Sequence, residues 1–141
     1  MRLELIFGIH RTTHRIGLYI ARHTADLSQA EAHILCHLAE SDKATIAELH
    51  RAFAHRRSTL TSVLDRLAGR GLITRETSEK DRRSFVVSLT RSGKSKAAKV
   101  HRILEKLEDV ALRGADRKSL KAFAKILARV EESASEDRAG R

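Results

Sequence analysis

At 141 residues the chain has the length of one domain with a modest core. Its formal net charge of +10 points to a polyanionic partner, and no stretch approaches the roughly twenty apolar residues of a membrane span, so a soluble protein with no membrane partner is expected. A single cysteine excludes an internal disulfide and fits a reducing cytoplasm.

In chain order, Met1 to Ile9 is apolar but interrupted by Arg2 and Glu4, with no small-residue cleavage site after it, so a secretory signal is not expected. Leu5, Ile9, Ile16, Tyr19 and Ile20 then fall on one helical stripe, bridged by Thr12 and Thr13. Leu27-Ser28 precedes a second helix containing Ile34-Leu35-Cys36. Ile46, Ala47, Leu49, Ala52 and Phe53 recur at helical spacing from Thr45 to Phe53, and a break from Ala54 to Arg57 separates them from Leu60, Val63, Leu64 and Leu67. Two short amphipathic helices this close can bury both stripes only by crossing steeply, as in a helix-turn-helix.

The second of these is the expected reader helix. Its core stripe leaves Ser58, Thr61, Ser62, Asp65 and Arg66 pointing away, with Arg56 and Arg57 at its start. Small hydroxyls let a helix settle into the major groove, arginine can donate bidentately to guanine, and unpaired N–H groups at a helix start favour phosphate. Arg56 stands where a Ser, Thr or Asp cap is expected, and Ala54-His55 where Gly and an aliphatic residue are expected, so either the turn is loose or Ser58 caps. Gly69 and Gly71 end the helix, and Leu72-Ile73-Thr74-Arg75 reads as a strand.

Asp81 to Gly93 reads as a wing: Phe85, Val86, Val87 and Leu89 lie behind a charged tip with Arg82 and Arg83, and Thr90 caps the next helix with Gly93 in its first turn. The pattern Asp-x-Arg, five residues, Leu-Thr-x-x-Gly is met by Asp81, Arg83, Leu89, Thr90 and Gly93, and with it the chain resembles the MarR family of bacterial transcription regulators. That resemblance implies a mainly α fold with a short β-hairpin wing, in which a winged helix-turn-helix lobe carries N- and C-terminal dimerisation helices. It also implies that Arg83 enters the minor groove, and that Asp65 pairs with Arg75 to fix wing against reader helix, with Asp81 supporting the wing. DNA contacts are accordingly expected from Arg56, Arg57, Ser58, Thr61, Ser62, Arg66, Arg82 and Arg83.

After the wing, Val100, Ile103, Leu104, Leu107, Val110 and Ala111 form one stripe; beyond Gly114-Ala115-Asp116, Leu120, Phe123, Ala124, Leu127 and Val130 form another. A two-strand wing and two small helices cannot cover three such faces, and a second copy is the most economical partner. The expected layout is one domain over 1–141, with dimerisation helices at 1–26 and 97–132, the lobe at 27–96, and disorder beyond about Glu132. Residues 45–96 carry 12 basic and 5 acidic groups, against 5 and 5 in residues 1–44 and 11 and 8 in residues 97–141. Most of the excess charge therefore lies in the expected lobe, as a phosphate-binding face would require.

No nucleophile elbow, phosphate-cradling loop or paired-carboxylate arrangement stands out, so no enzyme and no cofactor are expected. The leading reading is a sequence-specific regulator of double-stranded DNA, a ligand-responsive homodimer on a palindromic operator. A sequence-neutral architectural protein is the alternative, and an RNA-binding winged helix a third; hydroxyls beside Arg57 favour direct readout over a purely phosphate-directed face.

Two sensory chemistries are open. His10 with His14 and His33 with His37 stand at i,i+4 spacing, and His101 with Glu105 repeats it, as a transition-metal site would require. The MarR resemblance places effectors between the first, second and fifth helices, where these pairs lie, and some members sense zinc. Cys36 is the redox candidate, although a lone cysteine in an apolar helix defaults to an inert thiol. The expected effector is a small aromatic or phenolic compound.

Overall fold

The computed structural model describes residues 3–24 and 26–136. The chain divides into two compact units, Met1–Lys106 and Leu107–Arg141. In the first, helices α1 (Glu4–Thr24) and α2 (Gln29–Ser41) are followed by strand β1 (Lys43–Thr45), α3 (Ile46–Phe53), α4 (Arg57–Gly69), β2 (Ile73–Thr77) and β3 (Phe85–Leu89). Helix α5 (Arg91–Ala111) begins in this unit, and α6 (Arg117–Glu136) lies in the second.

The helices of the lobe start where the sequence supplies caps. Ser28 accepts from the Glu31 amide while the Glu31 carboxylate accepts from the Ser28 amide, and Thr45 and Glu48 repeat the exchange. Each reciprocal box satisfies two otherwise orphan N–H groups, and a good N-cap alone contributes about 1 kcal/mol. Helix α4 differs: Arg56 is its N-cap without a side-chain bond, and Ser58 lies inside the first turn and does not replace it. The break is held by Ala54, whose left-handed backbone (φ 49°) ends α3 with its N–H donating to His50 O.

Burial follows the periodicity. Leu60, Val63, Leu64 and Leu67 are buried on α4 against Ile34, Leu35 and Leu38 of α2, Leu49 of α3, Val87 of β3 and Val100 of α5. The wing is not a simple two-strand hairpin. Strand β1 joins it, giving a three-stranded antiparallel sheet in the order β1-β3-β2, with Ala44 opposite Val87 and Ile73 opposite Leu89. These inward pairs close the core beneath the sheet. Phe85 shares their face by the two-residue period, but stands at the far end of the hairpin and is half exposed.

The junction after the wing explains the Leu-Thr-x-x-Gly spacing physically. Leu89 is buried; the Thr90 hydroxyl donates to Gly71 O (2.7 Å) and accepts from the Gly93 amide (2.9 Å), and the Thr90 N–H donates to Leu72 O (3.1 Å). Gly93 is buried so close to Leu72 that a Cβ there would lie 1.9 Å from its carbonyl oxygen. The end of α4, the base of the wing and the start of α5 are thereby tied into one joint.

Helix α5 starts at Arg91, directly after the cap expected at Thr90 and with Gly93 in its first turn. In the second unit Gly114 turns the chain with φ 81°, and the Asp116 carboxylate caps α6 by accepting from the Lys118 and Ser119 amides. The α6 helix continues through Glu136, past the boundary expected at 132; residues 137–141, on which the rest of that expectation falls, lie outside the described residues. Its apolar stripe stays open: Phe123 is 53% and Ile126 43% exposed, and no described residue of α6 is buried.

Candidate nucleic-acid interface

Helix α4 presents a polar face opposite its core stripe. Arg56, Arg57, Ser58, Thr61, Ser62, Asp65 and Arg66 are all exposed. Thr61 returns its hydroxyl to Arg57 O (2.9 Å). Ser58, Thr61 and Ser62 give this face small side chains between its arginines, so a groove wall could approach the helix closely there.

The wing tip is built by Asp81. Its carboxylate accepts from the Arg83 amide (2.9 Å) and its carbonyl from the Ser84 amide (3.0 Å), a tight turn with Arg82 and Arg83 at the two central positions. The Ser78 amide donates to Ser84 O (2.9 Å) and closes the loop below. Both guanidinium-bearing residues are exposed at the apex, on a turn whose backbone is hydrogen-bonded internally.

Two adjacent residues of α4 are ion-paired in different directions. Asp65 meets the Arg75 guanidinium from β2. Arg66 donates through Nε to Glu31 Oε1 of α2 at 2.9 Å, although Glu31 lies 35 positions earlier. Just beyond, Arg70 donates to Asp26 Oδ2 (2.6 Å) and to the Asp26 carbonyl (2.7 Å), and Lys96 reaches the same carboxylate at 2.7 Å. The Lys96 hydrogen bond, with the charges of Lys96 and Arg70, holds the Asp26 carboxyl below its ordinary range. Burial pushes Glu31 upward, but the Ser28 amide and the Arg66 guanidinium outweigh it, and the net shift is down. The sequence reading missed Asp26, Glu31, Arg70 and Lys96. The Ser-x-x-Glu and Thr-x-x-Glu spacings would have found the two boxes, whereas the pairings across the lobe have no local signal.

The histidines do not converge. His10 and His14 are exposed on α1, and His101 faces Glu105 at 3.3 Å on α5 with both side chains about half exposed. On α2, His37 sets its ring edge-on to Phe53 (centroids 5.4 Å apart), and Phe53 stacks with His55 (6.2 Å). Burial, and secondarily His55, lowers the pKa of His33. Among the described residues no group of three or more His, Cys, Asp or Glu could hold a metal ion. Burial, with a smaller contribution from Glu40, raises the Cys36 thiol to about 11, away from the thiolate that oxidant sensing needs. Nor is any described helix long and apolar enough to cross a membrane.

A short helix joined by a brief turn to a second helix with an exposed polar face, backed by a three-stranded sheet with an arginine-tipped hairpin, is the winged helix-turn-helix arrangement. Residues 27–85 match the family described as MarR. Solved structures of transcription regulators share the fold. The transcriptional regulator BldR from Sulfolobus solfataricus shares it with a TM-score of 0.77 and 22% identity, over 91% of this chain and 95% of that one. A mutant MarR from E. coli complexed with operator DNA matches with a TM-score of 0.71 and 20% identity, covering 92% and 98%. BpsR from Bordetella bronchiseptica, whose DNA binding is regulated by 6-hydroxynicotinic acid, matches with a TM-score of 0.74 and 19% identity over 93% and 96%.

Proposed function

We propose that this chain is a sequence-specific, double-stranded DNA-binding transcriptional regulator, acting as a homodimer on a palindromic operator and released by a small aromatic or phenolic effector. One observation carries the reading: the exposed Arg57, Ser58, Thr61 and Ser62 face of α4 and the Arg82-Arg83 wing tip belong to the same compact unit, one suited to a major groove and the other to the adjacent minor groove. The operator complex of the E. coli MarR mutant supports it by analogy of fold.

Dimerisation is supported by the apolar faces left open in one chain. On α1, Leu5, Ile6 and Phe7 are 45–56% exposed, and α6 keeps Phe123 and Ile126 outward. At about 25 cal/mol per Å², faces of this kind drive association with a matching copy. We assign the lobe to 27–96 and dimerisation to the flanking helices. For the effector, an open groove of about 500 Å³ between α2 and α5 has an apolar floor of Leu38, Ala97 and Ala98 beside Lys94, His101 and Arg102, whose basic groups outnumber the one lining carboxylate, Asp42, a setting for a small organic anion. BpsR's response to 6-hydroxynicotinic acid supports an effector of that class.

Sedimentation and duplex-binding titrations test the reading together. The expected result is a particle of twice the 15.8 kDa chain mass that binds duplex DNA in preference to structured RNA and releases it when aromatic acids are added. A monomer, or equal affinity for structured RNA, contradicts it.

A further inference from the structure

The reading of α4 as a DNA-facing helix leaves one of its exposed cations unexplained. Arg66 lies one helical turn after Ser62, about 40° around the axis by the 3.6-residue repeat, and so flanks the presented face. An arginine stem from there could reach phosphate. Instead Nε is spent on Glu31, a carboxylate whose side chain is only 6% exposed while that of Arg66 is 54% exposed. Glu31 is itself held rigidly: its other oxygen accepts from the Ser28 amide at 2.7 Å, so the box that starts α2 also aims the carboxylate at α4.

Resting on the proposed DNA-binding role, we propose that Glu31 is a positioning residue of the reader helix, which holds Arg66 as a brace to α2 and withholds its charge from the DNA backbone. With Asp65 paired to Arg75 of β2, α4 is then tied through consecutive residues to the wing on one flank and to α2 on the other. The rotational setting of the helix in the groove is fixed by these two ties. Neutralised by Glu31, Arg66 displaces no counterion on binding. The neighbouring Arg70 stands 4.0 Å from Glu31 but is retained independently by two hydrogen bonds to Asp26, so loss of the Glu31 charge would release one cation and not two.

The test is the salt dependence of duplex binding in three variants. Glu31→Gln keeps a side-chain oxygen able to complete the capping box but removes the charge. Its binding should grow steeper in salt by about 0.9 in log–log slope, the signature of one new phosphate contact and about a 3.5-fold extra affinity loss between 50 and 200 mM salt. Arg66→Ala alone should keep the wild-type slope, and adding Arg66→Ala to Glu31→Gln should restore it. An unchanged slope in Glu31→Gln overturns the inference while leaving DNA binding intact. So does a slope shallower by about 0.9 in Arg66→Ala alone, which does not depend on how well Glu31→Gln folds. A wild-type chain that binds no duplex DNA overturns the proposed function and this inference with it.

Discussion

Replacing Gly93 by alanine should disable the joint that carries the wing. Alanine is normally the better helix residue by about 1 kcal/mol, so propensity alone predicts a gain. The structure reverses the sign. The new Cβ would sit 1.9 Å from Leu72 O, 2.9 Å from Leu72 C and 3.3 Å from Leu89 Cδ2, and the first two are backbone atoms that no rotamer change can move aside. Overpacking of this kind costs up to about 3 kcal/mol. Separating the start of α5 from Leu72 also strains the Thr90 bonds to Leu72 O and Gly71 O, worth about 1 kcal/mol each. The net loss is about 4 kcal/mol, a large part of a typical 5–15 kcal/mol stability and a fall in midpoint of about 12 °C. Urea and thermal unfolding followed by circular dichroism, at fixed protein concentration, measure it. Gly69→Ala, where a Cβ meets nothing within 4 Å, is the control and should change stability by no more than about 1 kcal/mol. A Gly93→Ala protein as stable as wild type would refute the close approach.

Ala54→Gly should stabilise the chain by roughly 0.5–1 kcal/mol: the left-handed conformation at φ 49° strains alanine by about 1–2 kcal/mol, while glycine's extra unfolded-state freedom returns about 0.4–1 kcal/mol, and chemical unfolding reads the difference. Asp26 and Glu31 titrate below their ordinary values of 3.8 and 4.5 when folded, so their contribution is complete above about pH 4.5 and is lost as pH falls through the lower folded values; Glu31→Gln should show a shallower acid loss in unfolding experiments. His33 is likewise depressed below 6.5, so the unfolded chain takes up its proton first and stability should fall as pH drops below 6.5, a slope that His33→Gln removes. Arg83→Ala should lower DNA affinity and make the salt slope shallower by about one counterion, whereas Arg57→Ala or Thr61→Ala should chiefly relax base preference; anisotropy titrations on paired sequences separate the two effects.

The helices and the wing were legible because each buries a stripe whose period shows in the sequence: Leu60, Val63, Leu64 and Leu67 mark α4, and Val87 and Leu89 mark β3. Strand β1 was not. Three residues, Lys43–Thr45, are too few to show a two-residue alternation, and their pairing with Val86–Ser88 is made only when the lobe closes. The polar face of α4 could be read from what its stripe leaves over, but the fate of its charges could not. Arg66 read as a free DNA contact and Arg70 was not singled out, and only folding brings Glu31 and Asp26 against them from 35 and 44 positions away. The i,i+4 histidine pairs show the reverse case: helical spacing put two imidazoles on one face, yet a metal needs ligands from facing elements, and among the described residues none complete the set. The missing cap at Arg56 was visible, and the structure shows that the turn holds without it through the left-handed Ala54.

Selection of binding sites from a pool of random duplexes tests the central claim most directly. Two lobes carried by one symmetric dimer would place their α4 helices in successive major grooves, so the selected sequences should converge on an inverted repeat with half-sites about 10 bp apart or slightly more. Recovery of no consensus, with binding to bulk DNA as strong as to any selected sequence at moderate salt, would contradict the account and establish a sequence-neutral architectural protein in its place.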